Sequence, residues 1–396
     1  MSRPAALRCL EGMSTHSTNV TKVTKVVVLG GGYAGTLAAS HLRTDPDTEV
    51  TLVNPRPEFV QRIRLHQLVA GTGEATLGFD GLLAAGVRLV VDGAARIDRD
   101  ARRVELESGA ALDYDYLVYA VGSRGAVPPA HAYPIAEVEH ARRLRAALAD
   151  LPLDAPVTVV GGGLTGIETA AELAERGRAV TLVTGGTLAP SLSEKGRRSI
   201  AGTLAGLGVT VLDDVVTEVR EDAVVLGGGE LAAALTVWTA GFEVPDLAAR
   251  SGLRTDEVGR LVTDDTLTSV DDDRIVAAGD AAAPSGRALR MSCQAAQPMG
   301  LQAARTVLSR IAGTEPRALD PRFVGSCVSV GRHAGTVQVA RKDDTPLDVV
   351  IGGRMGAAVK EFVCRGTMMS IRGEARRPGS IARLLGSGRP AQQEVS

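Results

Sequence analysis

Aromatic residues and cysteines are scarce in this chain, at 3% of all residues and at four of 396 positions. Few aromatic side chains leave little for base stacking, and a net charge of −2 gives no excess of basic residues, so we expect no nucleic-acid partner. The cysteines lie far apart, without a CxxC pair or metal-ligand spacing, at Cys9, Cys293, Cys327 and Cys364. We therefore expect no disulfide framework and no metal site.

No apolar run approaches the length of about 18 residues that a membrane-spanning helix needs. The amino terminus also lacks the apolar core of a signal peptide. These absences predict a cytoplasmic protein. Peripheral contact with an anionic membrane stays open, because a basic stretch interrupted by methionines lies near the carboxyl terminus. Its basic residues are Lys360, Arg365, Arg372, Arg376, Arg377 and Arg383.

Glycine is abundant, at 46 positions, and it forms two similar glycine-rich segments. Residues 30–35 read GGGYAG, and residues 161–166 read GGGLTG. Each follows a run of β-branched residues and precedes a helical pattern, as in a dinucleotide-binding unit. There the first glycine permits a tight turn, the second lets the backbone approach a pyrophosphate, and the third packs helix on strand. Such turns also occur for purely structural reasons, but their repetition in this context predicts two bound dinucleotides.

The rest of the chain predicts further strands and helices around these two units. Short alternating segments between residues 87 and 106 predict an antiparallel insertion. Helical patterns cover residues 136–149 and 293–311. Residues 320–365 alternate like strands and a hairpin, and residues 366–396 are basic and contain proline and glycine without a clear period.

Four motifs occur in a fixed order: GGGYAG, LVYAVGS at residues 117–123, GGGLTGIE, and IVAAGDAA at 275–282 followed by MSCQAAQPMG. In this order they resemble the two-dinucleotide flavoprotein oxidoreductases of the pyridine nucleotide-disulfide oxidoreductase superfamily. Within that superfamily they resemble the branch of type II NADH dehydrogenases and apoptosis-inducing factor. The resemblance covers residues 24–365. It implies FAD at the first glycine turn and NADH or NADPH at the second.

The resemblance also implies an α/β fold with two Rossmann-like dinucleotide-binding domains, for FAD and NAD(P), and a small α+β carboxyl-terminal domain. The implied boundaries are a disordered leader at 1–23, a discontinuous FAD-binding domain at 24–140 and 262–315, an NAD(P)-binding domain at 141–261, a carboxyl-terminal domain at 316–386 and a tail at 387–396.

The resemblance, taken residue by residue, gives a set of expected site residues. For FAD these are Gly30, Gly32, Tyr33, Ala34, Gly35, Asn54, Arg62, Gly122, Asp280, Gln294 and Ala296. For NAD(P)H they are Gly161, Gly163, Leu164, Thr165, Gly166, Glu168, Thr184 and Gly241. Glu168 and Gln294 are the expected catalytic residues.

Several of these residues also have a purely structural explanation. Asp280 follows an apolar strand, where a helix N-cap is the alternative to a ligand for FAD hydroxyls. Glu168 is expected in the first turn of its helix, where a carboxylate also complements the helix dipole. Arg62, with Arg64 and His66, either places cations beside the flavin or provides exposed loop charges.

Two positions depart from the usual pattern of a dinucleotide-binding unit. An acid normally ends the second strand and binds the adenosine ribose, but Asn54 and Thr184 stand there. Asn54 still offers hydrogen bonds to ribose, so FAD remains expected. At Thr184 no acid is present to repel a 2′-phosphate, so both NADH and NADPH stay open. Three basic residues lie downstream and are either partners of that phosphate or solvated charges of a helix: Lys195, Arg197 and Arg198.

The electron acceptor is the least defined part of the expected function. Type II dehydrogenases commonly carry an AQxAxQ pattern near flavin and quinone, but here Cys293 and Pro298 replace its first alanine and second glutamine. A small quinone is the leading acceptor of the expected FAD-dependent NAD(P)H oxidoreductase. A ferredoxin-type reductase, a flavin monooxygenase and a redox sensor like apoptosis-inducing factor are the alternatives, and a homodimer stays open. Without a close cysteine pair, disulfide reduction is not expected. Cys293 itself is either a thiol near the flavin or a packing residue.

Overall fold

A computed structural model describes residues 23–381 of the chain. The predicted leader, apart from Val23, and the predicted tail at 387–396 lie outside the described residues. Across 23–381, no helix combines the length and the apolar character needed to cross a membrane.

The secondary-structure elements follow one another along the chain without long gaps. The α-helices are α1 (Tyr33–Leu42), α2 (Leu65–Ala70), α3 (Val138–Ala149), α4 (Leu164–Glu175), α5 (Glu194–Gly206), α6 (Leu247–Arg250), α7 (Cys293–Ile311) and α8 (Gly353–Arg376). The first strands are β1 (Thr24–Leu29), β2 (Thr48–Asn54), β3 (Glu58–Val60), β4 (Thr76–Gly78), β5 (Val87–Val91), β6 (Ala94–Asp98), β7 (Arg103–Leu106), β8 (Ala111–Asp113), β9 (Tyr116–Tyr119), β10 (Arg124–Gly125) and β11 (Ala132–Pro134). The remaining strands are β12 (Val157–Val160), β13 (Val180–Val183), β14 (Thr210–Leu212), β15 (Val216–Val219), β16 (Ala223–Leu226), β17 (Gly229–Ala232), β18 (Leu235–Trp238), β19 (Phe242–Glu243), β20 (Leu261–Thr263), β21 (Ile275–Ala277), β22 (Ala282–Pro284), β23 (Gly325–Ser329), β24 (Gly335–Ala340) and β25 (Pro346–Ile351).

The first glycine turn belongs to a parallel sheet with the strand order β21-β9-β1-β2-β5. Both faces of this sheet are covered, so β1 and β9 are apolar and buried over consecutive residues rather than at every second one. Helix α1 is buried along its whole length. Because β21 comes from the second half of the chain, two distant stretches of sequence build this sheet.

The second glycine turn belongs to a similar parallel sheet with the order β11-β18-β12-β13-β14. Strand β11 lies in this sheet, so the sheet recruits residues that precede the expected boundary at residue 140. A three-stranded antiparallel insertion accompanies each parallel sheet in sequence: β6-β7-β8 in the first half and β15-β16-β17 in the second. The expected α/β fold of two Rossmann-like units is confirmed.

The carboxyl-terminal part was only half predicted by the sequence. Strands β23, β24 and β25 form the expected antiparallel hairpins. The expectation of strands as far as residue 365 and an irregular chain after it is wrong, because α8 runs through Gly353–Arg376. From Cys364 onward its buried residues recur with a helical period, at 364, 367, 368, 371, 374 and 375, but the cysteine, threonine and glutamate among them hide the apolar pattern.

A buried carboxylate ties the end of α8 to α1. Glu374 is completely buried, and its Oε1 lies 2.6 Å from Nδ1 of His41 in α1. The carboxylate also accepts hydrogen bonds from the backbone N–H groups of Gly379 at 2.6 Å and Ile381 at 2.9 Å. These bonds fix the chain that follows α8 as well as the helix itself.

We expect Glu374→Gln to lower the free energy of unfolding by about 2 kcal/mol at pH 7, because an amide N–H₂ would face N–H donors. Burial raises the pKa of Glu374, but His41 and the backbone donors bring it below its usual value. Its contribution is therefore complete above about pH 4.3, the ordinary glutamate pKa, and is lost as the pH falls toward the lower folded-state pKa. Urea unfolding across this pH range should show the difference between wild type and variant shrinking on acidification.

The exposed Glu257 provides the matched control, as Glu257→Gln makes the same chemical change without burial. Equal, pH-independent effects of the two substitutions would contradict the anchoring role of Glu374.

Candidate functional site

A cavity of about 1540 Å³ brings together residues of both glycine turns, of α7 and of α8. The residues expected for FAD that line it are Gly32, Tyr33, Ala34, Arg62, Gly122, Asp280, Gln294 and Ala296. The residues expected for NAD(P)H that line it are Leu164, Thr165, Glu168 and Gly241. Most residues of the expected site thus converge, although the two turns are 131 residues apart in sequence.

The outer glycines of each turn lie beneath the cavity and shape the backbone. Gly30 and Gly161 have φ angles of +99° and +123°, which a side chain would strain. A Cβ atom on Gly35 would lie 1.9 Å from the Gly30 carbonyl oxygen, and one on Gly166 would lie 1.9 Å from that of Gly161. These four residues allow the helix to start directly against the strand, and they do not line the cavity.

The inner glycines, Gly32 and Gly163, face open space. A Cβ atom on either would meet no atom within 4 Å. Each is the N-cap of its helix, α1 or α4, and neither helix has a side-chain cap or an acidic residue in its first turn. The N–H groups at both helix starts are therefore available to an anion, which fits the pyrophosphate of a dinucleotide.

Asp280 belongs to a hydrogen-bonded chain on the FAD side of the cavity. The Ser123 hydroxyl donates to Asp280 Oδ2 at 2.7 Å, and Arg62 Nη1 donates to the Ser123 hydroxyl at 3.0 Å and carbonyl at 2.7 Å. Asp280 is not an N-cap, because Ser292 caps α7 and Ala278 precedes the 3₁₀ turn Gly279–Ala281. Ser123 was missed by the sequence analysis, although it ends the LVYAVGS motif.

Asn54 and Thr184 lie outside the cavity lining and already have protein partners. Asn54 accepts a hydrogen bond from the Gly31 N–H at 2.9 Å and donates to the Arg56 carbonyl at 2.7 Å. Thr184 donates to the Gly186 carbonyl at 2.6 Å. Both side chains therefore hold loops at the ends of β2 and β13.

Glu168 lies in the second turn of α4, not in the first, so it does not complement the helix dipole there. Its Oε1 lies 2.9 Å from Nζ of Lys360 and accepts the Ser329 N–H at 3.1 Å, and its Oε2 lies 3.5 Å from Nδ1 of His66. Burial raises the pKa of Glu168, but the Lys360 ammonium brings it below its usual value. Glu168 is thus an ionised carboxylate at the cavity wall.

His66 and Tyr33 bring neutral polar groups to the same region. Burial lowers the pKa of His66 to about 4, so His66 is neutral at pH 7, and the expected cation beside the flavin is absent at this position. Burial holds the pKa of Tyr33 well above its usual value. Within residues 23–381, neither the His66 Nε2 nor the Tyr33 hydroxyl has a hydrogen-bond partner.

Comparisons with known proteins agree with this geometry. The sequence profile of the pyridine nucleotide-disulphide oxidoreductase family matches residues 24–300. An NADH dehydrogenase-like protein of Mycobacterium tuberculosis is 34% identical over 325 residues, covering 72% of this chain and 80% of its relative. The chain belongs to this family. A type II NADH:quinone oxidoreductase of Haemophilus influenzae is 25% identical over 389 residues, and the match covers 80% of this chain and 87% of that relative.

The fold is shared with a solved sulfide:quinone oxidoreductase of Aquifex aeolicus, at a TM-score of 0.77 and 20% identity, over 91% of this chain and 94% of the other. The family membership and these relatives identify the protein as a flavoprotein oxidoreductase of the NADH dehydrogenase-like branch. The resemblance stated from the motifs is confirmed.

Helix α8 of this oxidoreductase supplies a cation that the sequence analysis misplaced. Lys360 belongs to the buried face of α8, where it pairs with Glu168, and not to an exposed basic surface. Burial lowers the pKa of Lys360, but Glu168 raises it above the usual lysine value. One residue further, Glu361 pairs with Arg64 at 3.0 Å and links α8 to the segment before α2.

The wall of the cavity formed by α7 carries Gln294 and the thiol of Cys293. Arg290 donates to Gln294 Oε1 at 3.2 Å and pairs with Asp344 at 2.8 Å. Pro298 lies in the second turn of α7, so the Gln294 carbonyl lacks its usual helical N–H partner.

Three cysteines that are distant in sequence, Cys293, Cys327 and Cys364, line the same cavity. Burial raises the pKa of each thiol. All three are therefore protonated and weakly nucleophilic at pH 7.

We expect Glu168 and Lys360 to be strongly coupled. Each of Glu168→Gln and Lys360→Met leaves one buried charge without its partner, so each alone should lower the free energy of unfolding by about 3 kcal/mol. The loss of unfolding free energy in the double variant should be about 2 kcal/mol smaller than the sum of the losses in the two single variants. Denaturant unfolding of the four proteins measures this coupling, and additive losses would show that the pair is not formed.

Proposed function

We propose that this oxidoreductase binds FAD at residues 30–35 and NADH at residues 161–166 and delivers the electrons to a quinone. The observation that carries the proposal is the opening of both glycine turns onto one cavity. A hydride donor and its acceptor must meet at near contact, and two dinucleotides seated on separate helix starts but entering one cavity meet this requirement. The curated relatives named as NADH dehydrogenase-like and NADH:quinone oxidoreductase support the same donor and acceptor.

The FAD would lie with its pyrophosphate at the start of α1. Gly32 leaves room for it, and Asp280, oriented by Ser123 and Arg62, offers a carboxylate oxygen to hydroxyl groups of the ligand. Gly122 and Ala296 provide small surfaces against which a flat ring can lie. Bound FAD supplies the chemistry of accepting a hydride from NADH and passing its electrons to a second acceptor.

NADH would lie with its pyrophosphate at the start of α4. Leu164, Thr165 and Gly241 line the path from that helix start into the cavity. Glu168 reaches the cavity one turn further along the helix, and its carboxylate can accept a hydrogen bond from the nicotinamide amide. Lys360 keeps Glu168 ionised and therefore an acceptor only.

The quinone would enter beside α7 and α8. Leu301, Val359 and Val363 give this part of the cavity apolar walls, and Gln294 and Lys360 provide polar atoms. A quinone presents an apolar ring with two carbonyl oxygens, which matches an apolar pocket with a few hydrogen-bond donors. Gln294 acts as a donor through its amide, since its Oε1 is occupied by Arg290.

The two turns can be tested separately with matched substitutions. Gly163→Val places a side chain where NADH would lie, in an extended backbone conformation that valine adopts, so the fold should survive. We expect the variant to retain FAD and to lose at least about 100-fold in the rate of flavin reduction by NADH. Gly32→Val, at the equivalent site of the first turn, should instead be purified without FAD. Absorbance spectra and stopped-flow reduction measure both, and the reverse pattern would show that the turns are assigned to the wrong nucleotides.

We further propose that the outer face of α8 contacts an anionic membrane surface. Met355, Phe362 and Met369 are 67%, 75% and 69% exposed and stand seven residues apart, which places them in one stripe along the helix. Exposed arginines flank the stripe at Arg354, Arg365, Arg372 and Arg376. Apolar side chains between cations fit an interfacial amphipathic helix. Of the basic residues expected to make this contact, Arg383 lies outside the described residues.

Replacing Phe362 and Met369 by serine should reduce binding to vesicles that contain anionic lipid by at least about 100-fold, because each of the two apolar side chains contributes roughly 1.5 kcal/mol or more when buried. Co-sedimentation at low and high salt measures the loss. Val215→Ser, which changes another exposed apolar residue, is the control. If the double variant binds vesicles normally but changes from dimer to monomer, the stripe is an interface between two copies instead.

A further inference from the structure

A carboxylate from the neighbouring strand lies beside the position where the second unit lacks its acid. Thr184 and Asp213 directly follow β13 and β14, which pair in parallel with Val183 opposite Leu212. The two residues therefore emerge side by side at one edge of the sheet. The Thr184 N–H donates to the Leu212 carbonyl at 2.8 Å, and the Thr184 hydroxyl oxygen lies 3.4 Å from Asp213 Oδ1.

Asp213 is exposed, and its carboxylate is not used by the fold. In the part of the chain that the structure describes, the Thr184 hydroxyl is the one polar group within hydrogen-bond distance of the Asp213 side chain, and its proton goes to the closer Gly186 carbonyl. The next residue, Asp214, has the structural task, because its carboxylate accepts the N–H groups of Gly227 and Gly228, each at 3.1 Å. Two adjacent acids thus have different roles, and Asp213 remains available to a ligand.

The basic residues considered for a 2′-phosphate are mostly used by α5 itself. Arg197 donates to the Leu192 carbonyl at 2.9 Å, and Arg198 pairs with Glu194 one turn earlier in the helix. Lys195 is exposed to solvent. The edge of the sheet where the adenosine ribose of a dinucleotide lies is therefore marked by a carboxylate rather than by a cluster of cations.

We propose that Asp213 accepts a hydrogen bond from the 2′-hydroxyl of the adenosine ribose and thereby selects NADH over NADPH. It performs the task of the missing acid at Thr184 from the adjacent strand. A 2′-phosphate at the same place would bring two negative groups together, which costs binding free energy. This inference rests on the proposed binding of a nicotinamide nucleotide at the second turn.

Binding of two nucleotide fragments to the FAD-containing protein tests the inference without turnover. ADP-ribose and 2′-phospho-ADP-ribose differ in the phosphate alone, and calorimetric titration gives the ratio of their dissociation constants. We expect the wild type to bind ADP-ribose at least about tenfold more tightly, and Asp213→Asn to reduce this preference by about tenfold. Asp222→Asn removes the same charge from an exposed turn of the same unit and should leave the ratio unchanged.

An unchanged ratio in Asp213→Asn, or a wild-type preference for the 2′-phosphate, would overturn the inference. Mixing each protein with NADH separates this result from the proposed function. If NADH reduces the flavin but the ratio does not respond to Asp213→Asn, only the role of Asp213 fails. If the ratio responds but NADH leaves the flavin oxidised, the dehydrogenase function fails and the role of Asp213 in nucleotide selection holds. If neither fragment binds, both fail.

Discussion

The third glycine of each turn imposes the constraint on which the rest of the site depends. At Gly35 and Gly166 any side chain would collide with the carbonyl oxygen of the glycine five residues earlier, so the helix can start directly against its strand only with glycine there. This close start aims the unpaired N–H groups of α1 and α4 at the space above the turns. The same constraint, used twice, gives two helix starts with unpaired N–H groups beside one cavity. The duplicated unit thus provides two of the walls of the cavity, and α7 and α8 provide others.

Helix α8 is held in place by three charged side chains that each have a partner on another element, and one of them, Lys360, lines the cavity. Lys360 enters the cavity wall against Glu168, Glu361 bonds Arg64, and Glu374 bonds His41 of α1. Each pair joins the carboxyl-terminal helix to an element of a dinucleotide-binding unit. An unpaired charge at Lys360 or Glu374 would be costly at this depth, so the pairs also specify where α8 packs. One face of α8 serves the cavity, and its opposite face presents the apolar stripe to solvent.

The sequence predicted those parts of the fold in which local chemistry and tertiary structure agree. The two strands that lead into the glycine turns, β1 and β12, are rich in β-branched residues, and the helix expected at 293–311 has these bounds in the structure, with Ser292 as its cap. Helix α8 was missed because Gly356, Thr367 and Glu374 interrupt the apolar residues of its buried face, and its contacts with β24 and α1 are not visible in a local pattern. Burial makes His66 neutral, and pairing with Glu168 keeps Lys360 charged inside the protein. In the sequence, His66 looked like a loop charge and Lys360 like a surface charge. Lys360 stands four residues after Gly356 and four before Cys364, which are both buried in α8. This spacing was the available signal for a buried cation.

The proposed function depends on electrons from NADH entering a flavin held between the two glycine turns. The decisive experiment is anaerobic stopped-flow mixing of the purified protein with NADH, followed at the visible absorption band of oxidised flavin. We expect the protein to be purified with FAD, NADH to bleach the band rapidly, and a short-chain quinone to restore it. A protein that carries no flavin, or whose flavin NADH does not reduce, would show that the proposed electron transfer does not occur.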